Sequence, residues 1–159
     1  VLSELIKIFP KSVLIMVGPD KDGSHNECIQ LVKELGVEKN IHFTGFLKKR
    51  EWINLSKECD IFINTTNFDN MPVSVIEAMA LGLPVVSTDV GGLKFLHKNG
   101  EDALLVSGND ISAMVKKIKL LINDDSSLVS NLSINGRKKA EGFCWEKVRL
   151  DWLKILSLA

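Results

Sequence analysis

The 159 residues, 45% hydrophobic and 25% charged, have the size and mix of one ordinary globular domain with a sizeable core. The 20 basic and 20 acidic side chains cancel and are interspersed, which excludes the strongly basic face that nucleic acid would require. No apolar run approaches the roughly 20 residues that span a bilayer, and the start of the chain lacks the basic head and cleavage site of a signal peptide, so a soluble, cytoplasmic protein is expected.

The opening "VLSELIKIFP" reads as an amphipathic helix already under way, with Val1, Leu2, Leu5, Ile6 and Phe9 apolar and no capping residue before it, so material upstream is expected. "SVLIMVG" is a nearly continuous apolar run, predicting a strand covered on both faces and ended by Gly18-Pro19. A helix follows in "SHNECIQLVKELG", with Ser24 as N-cap, Glu27 at the capping-box position and Gly36 past the end. "NIHFTG" is the second strand. "KKREWINLSKEC" places Trp52, Ile53 and Leu55 on a helix whose basic start, Lys48 to Arg50, reads as solvated. "DIFINTT" is the third strand, and its polar end, Asn64 to Asn67, points to a crevice. The helix within "MPVSVIEAMALG", the strand "PVVST", the turn and short helix of "GGLKFLHKNG" and the strand "DALLVS" come next. From Asp110, an acidic cap, the chain is helical through "DISAMVKKIKLLIN", then Ser126 to Glu141 and Trp145 to Leu158, with Trp145 and Trp152 as packing anchors. Strands alternating with helices predict one α/β domain, a Rossmann-like doubly wound parallel sheet closed by C-terminal helices.

Glu77 is the one charged residue in the apolar helix after Pro72, eight positions beyond Asp69. Val75, Ile76, Met79, Ala80 and Leu83 supply one face and Val73, Ala78 and Leu81 leave no polar side opposite, so the helix is expected to be packed on nearly all sides. A carboxylate in such a helix either finds hydrogen-bond donors inside or faces a ligand in the crevice at the carboxyl ends of the strands. An ionised carboxylate only accepts hydrogen bonds, and vicinal hydroxyls such as those of a ribose suit it. The preceding loop strengthens the ligand reading. Backbone N–H groups around Asn70, Met71, Val73 and Ser74 would sit at the positive end of the helix dipole, where a diphosphate could dock. Asp69 would then reach hydroxyls beyond the phosphates.

These residues resemble a known family. "DNMPVSVIEAMALGLPVVSTDVGG" is similar to the Glu-x7-Glu region of family 4 retaining glycosyltransferases, nucleotide-sugar enzymes with two Rossmann-like domains facing across a cleft, the GT-B fold. "FPKSVLIMVGPDKDG", "ELGVEKNIHFTGFLKKREWINLSKECDIFINTT", "HKNGEDALLVSGND" and "FCWEKV" stand in the order expected of the donor-binding C-terminal domain of that family. The resemblance therefore covers residues 1–159 as the donor half, with the N-terminal acceptor domain absent from this chain. It implies that Glu77 holds the ribose hydroxyls and Asp69 those of the donor sugar. Amides from Asn70 and Met71 through Val73 and Ser74 would meet sugar and phosphate, Gly18 would open the glycine loop, and Gly45, Phe46 and Leu47 would flank the base. Catalytic groups would lie in the absent domain, and no cofactor or metal is implied beyond the nucleotide-diphosphate sugar itself. The first acid here is Asp69 rather than Glu, one methylene shorter. The family's basic pair that neutralises the diphosphate would precede this chain, Lys94 being the nearest base after the motif.

The activity implied is hexosyl transfer with retention to a saccharide or lipid-linked acceptor, in the cytoplasm, with peripheral contact at the inner membrane face compatible with the full-length protein. The isolated piece would be inactive. A nucleotide-sugar epimerase on the same two-domain plan and a nucleotide-sugar-binding module without turnover are the alternatives. Other chemistries find less support. His25, His42 and His97 have no partner at ligand or triad spacing and read as structural or surface residues, and Ser74 and Ser107 lack a nucleophile-elbow context. Cys28, Cys59 and Cys144 are too dispersed for a metal site and odd in number, and read as reduced core fillers.

Overall fold

In a computed structural model, residues 1–123 and 127–157 are described, and the chain divides into two compact units, Val1–Leu55 and Ser56–Ala159. All strand pairings are parallel, as the alternation of strand and helix predicts.

The first unit begins with the short helix α1 (Leu2–Leu5), of which only Leu5 is buried. Strand β1 (Leu14–Val17) pairs with β2 (Ile41–Gly45), and the register shifts between Met16 and Val17 so that Val17 faces Gly45. The expectation that β1 is covered on both faces is corrected here: Met16 and Val17 are exposed. Helix α2 (Ser24–Glu34) starts from Gly23 rather than Ser24, because the turn before it is held by two aspartates. Asp20 accepts the Gly23 N–H at 2.9 Å and Asp22 the Ser24 N–H at 3.1 Å. Hydrogen bonding to the Ser24 side chain, and then to its N–H, holds the Asp22 carboxyl below its ordinary range. Helix α2 ends as expected, with Gly36 in the left-handed region at φ 64°. Asn40 ties the start of β2 to the loop before β1 by donating to Pro10 O and Ser12 O. Helix α3 (Lys49–Ser56) runs to the first residue of the second unit.

The second unit holds β3 (Phe62–Asn64), β4 (Val85–Thr88) and β5 (Leu104–Val106), with β4 in the middle and every residue of β4 buried. Between the strands lie α4 (Val73–Ala80) and α5 (Leu93–Leu96), and after β5 come α6 (Ile111–Ile122), α7 (Leu128–Ala140) and α8 (Trp145–Ser157). Helix α6 has the predicted cap: Asp110 accepts the Ala113 N–H at 2.8 Å. Helices α4, α6 and α7 all pack on β4, and Gly136 of α7 lets that helix close on Met79 of α4. The predicted limits Ser126 and Leu158 lie outside the described residues. The anchoring role expected of Trp145 and Trp152 is not observed, since they are 66% and 54% exposed and no described residue of α8 is buried. Helical spacing marks an apolar stripe but not what covers it. Cys28, Cys59 and Cys144 form no disulfide and are half-buried rather than core fillers, and burial together with Asp60 and Glu58 pushes the Cys59 thiol up. Among the described residues no helix is long and apolar enough to cross a membrane, and no group of three His, Cys, Asp or Glu side chains could hold a metal ion.

Candidate functional site

The polar end of β3 and the end of β4 lie side by side, so the loops that follow them meet at the carboxyl edge of the sheet. Polar side chains lock that edge. Asn64 donates to the Ser87 hydroxyl at 3.1 Å, and the Thr88 hydroxyl donates to Thr66 O at 2.6 Å. The loop after β4 then runs against the loop after β3. The Gly92 N–H donates to Asp69 O at 2.9 Å. The two backbones come so close that a Cβ on Gly91 would stand 2.2 Å from Asp69 O, and one on Gly92 1.8 Å from Asn70 O. Gly91 also adopts φ 55°, which favours glycine. Only a glycine pair fits there.

This contact fixes the path of Asp69 and Asn70 into α4. The half-buried Asp69 turns its carboxylate back and accepts the Met71 N–H at 3.1 Å, forming an aspartate turn. The Met71 amide is thereby taken up. Pro72 is extended at ψ 117° and forms the N-cap rather than the first helical residue, with its carbonyl accepting from Val75 and Ile76. Among the described residues no acceptor faces the N–H groups of Val73 and Ser74, as expected in the first turn of a helix. They lie at the positive end of the dipole.

Glu77 follows one turn later, on the stripe shared by Val73, Ser74 and Ala80, all exposed, and is itself half-buried. The expectation that α4 is packed nearly all round is therefore corrected: Val75, Ala78 and Met79 are buried, and the opposite stripe is open. Glu77 stands on the open stripe. The structure thus brings Asp69, Asn70, Met71, Val73, Ser74 and Glu77 together on one loop and helix start.

In the first unit the corresponding strand ends also meet. Gly18 donates its N–H to Gly45 O at 3.0 Å, and both glycines have positive φ, 149° and 67°. Phe46, 71% exposed, and the half-buried Leu47 follow directly.

Gly91-Gly92 reads from sequence only as a turn, yet two adjacent glycines between a strand and a helix also permit close backbone approach. His97 reads from sequence as an isolated histidine. In the structure His97 is buried with Nδ1 3.1 Å from Asp102 Oδ1, and Lys139 donates to Asp102 Oδ2. Its Nε2 has no partner among the described residues. Burial pushes the imidazole below its ordinary range, with Asp102 opposing the shift and Lys139 adding to it.

A parallel α/β unit with glycine-opened loops at the carboxyl ends of its strands is the edge at which open α/β sheets bind ligands. Residues 1–139 match the model of the glycosyl transferases group 1 family, and the chain belongs to that family. A D-inositol 3-phosphate glycosyltransferase from Corynebacterium urealyticum is 28% identical over 92% of this chain and 35% of its own length. Among solved structures, sucrose-phosphate synthase from Thermosynechococcus elongatus superposes with a TM-score of 0.84 at 27% identity, over 99% of this chain and 41% of that one. Anabaena HepE, solved in complex with UDP, gives 0.85 at 24% identity, over 98% and 44%. The chain thus spans about a third of the length of the D-inositol 3-phosphate glycosyltransferase it matches.

Proposed function

We propose that this chain is the donor half of a retaining hexosyltransferase, residues 1–159 binding a nucleotide-diphosphate sugar while the acceptor domain and the catalytic groups lie elsewhere in the full-length protein. The carrying observation is the closed loop pair at the carboxyl edge of the second unit. Gly92 grips Asp69 there, and α4 opens with the Val73 and Ser74 N–H groups facing no acceptor among the described residues and with the half-buried Glu77 on the same stripe. Two amides at a helix start suit a diphosphate, and Glu77 suits the two ribose hydroxyls. Asp69, with one carboxylate oxygen committed to Met71, has the other for a hydroxyl of the sugar.

Chemistry on such a donor is electrostatic. Oriented N–H groups stabilise charge on the leaving diphosphate as the glycosidic bond lengthens, and they need no reorganisation to do so. The chain alone, without an acceptor site, is expected to bind donor and not to turn it over. HepE, a structural neighbour solved with UDP, supports a nucleotide ligand. Calorimetric titration of the protein with UDP, GDP and ADP, each with and without its sugar, tests the reading. One nucleotide should bind, and Glu77→Ala should weaken it about 10- to 100-fold, the worth of roughly 1.5–3 kcal/mol for hydrogen bonds to a charged group. Unchanged affinity in the variant would refute the ribose assignment.

A further inference from the structure

The candidate donor loop is built from the front ends of two helices, and their rear ends are held by a third. Helix α7 ends in Arg137, Lys138 and Lys139. Arg137 donates through Nη1 to Ala80 O, the last residue of α4, at 3.1 Å. Lys139 donates through Nζ to Leu96 O, the last residue of α5, at 2.6 Å. Cations at helix C-termini satisfy the orphan carbonyls there and complement the dipole. The second tether is reinforced by a buried cluster. Asp102, 4% exposed, accepts from Lys139, from the Lys98 N–H at 3.1 Å and from His97 Nδ1 at 3.1 Å, while the His97 N–H donates to Leu93 O at 2.9 Å. An ionised carboxylate offers acceptors only, so the His97 proton sits on Nδ1. Lys139 keeps a quarter of its side chain exposed, whereas the aspartate and imidazole it serves are enclosed. Removing one member of such a set leaves the others buried and unpaired, so it acts as a unit.

We propose that Lys139, Asp102 and His97 form a positioning cluster that sets how firmly α5 presses Gly91-Gly92 against Asp69, and through that contact sets affinity for the diphosphate end of the donor. None of the three touches the ligand. Helix α5 is a single turn, so a displacement at Leu96 is carried to Gly92 with nothing between to absorb it. The affinity part of this proposal rests on the donor-site reading above; the mechanical part does not.

The test uses the full-length protein and two readouts on Lys139→Gln, Lys139→Arg and Asp102→Asn: amide hydrogen exchange at Gly92, and affinity for UDP, GDP and ADP. Lys139→Gln is expected to speed Gly92 exchange at least tenfold and to weaken nucleotide binding about tenfold. Lys139→Arg, which keeps the charge and the donors, should restore both. Asp102→Asn should follow Lys139→Gln, and serves as the second variant if the glutamine form does not fold. Gly92 exchange and nucleotide affinity both unchanged in a folded Lys139→Gln or Asp102→Asn would overturn the proposal, as would failure of Lys139→Arg to rescue. Faster exchange at Gly92 with unchanged nucleotide affinity would keep the mechanical link and overturn the affinity link. Unchanged affinity in Glu77→Ala would instead strike the donor-site reading and leave the exchange result to decide the cluster.

Discussion

Two apolar strands, "SVLIMVG" in the first unit and "PVVST" in the second, look alike as sequence and end up in different surroundings. Strand β4 is buried at every residue, flanked by β3 and β5 and packed by α4, α6 and α7. Strand β1 pairs with β2 and leaves Met16 and Val17 exposed; in that unit Leu5 and Val37 are the buried hydrophobic residues. A continuous apolar run therefore reports that a strand can be covered, and the topology around it decides whether it is. The loops assigned to sugar and phosphate grow from the unit with the dense core, and a well-packed support holds a site in one geometry.

The largest expected effect contrasts the two cores directly. Met79 is fully buried and Met16 is 40% exposed. Met79→Ala should cost about 2–5 kcal/mol in a urea unfolding curve, whereas Met16→Ala should cost no more than about 1 kcal/mol. Equal losses would erase the comparison. Next in size is Gly92→Ala, whose Cβ would meet Asn70 O at 1.8 Å, so the backbone of one loop must move. A stability loss of about 1–3 kcal/mol is expected, together with weaker nucleotide binding, and a crystal structure of the variant should show Asp69 displaced. Gly18→Ala, where nothing stands within 4 Å of the new Cβ, carries no steric clash of this kind.

The smallest effect is a pH dependence confined to the second unit. Burial keeps the folded His97 below its ordinary value of 6.5, so between the folded and unfolded values the unfolded chain binds more protons. Stability from this group is then fully present above about pH 6.5 and is lost as pH falls through the folded value. Melting temperatures of wild type and His97→Gln, compared from pH 8 down to 5, should converge as the wild type loses this advantage. A wild-type curve that instead gains on the variant at low pH would reverse the sign.

Much of this was legible in the residues. The five strands follow from β-rich runs between turn signals, the Asp110 cap and the Gly36 stop act locally, and Glu77 stands out as the one charge in an apolar helix. What escaped is non-local or depends on loop shape. Ser24 has the chemistry of a cap, but Gly23 at φ 83° lets Asp20 and Asp22 take that role. The contact of Gly92 with Asp69 joins loops after different strands, and Lys139 reaches Asp102 from 37 positions away. Periodicity carries no record of such pairs. The exposed Trp145 and Trp152 teach the same lesson from the other side.

The most direct measurement of the central claim is a two-by-two titration: wild type and Glu77→Ala, each against the nucleoside diphosphate and its 2′,3′-dideoxy analogue. If Glu77 holds the ribose, the analogue binds the wild type about 10- to 100-fold more weakly and the variant binds both forms alike. If removing the hydroxyls costs the variant as much as the wild type, Glu77 does not contact the ribose and the assignment is wrong.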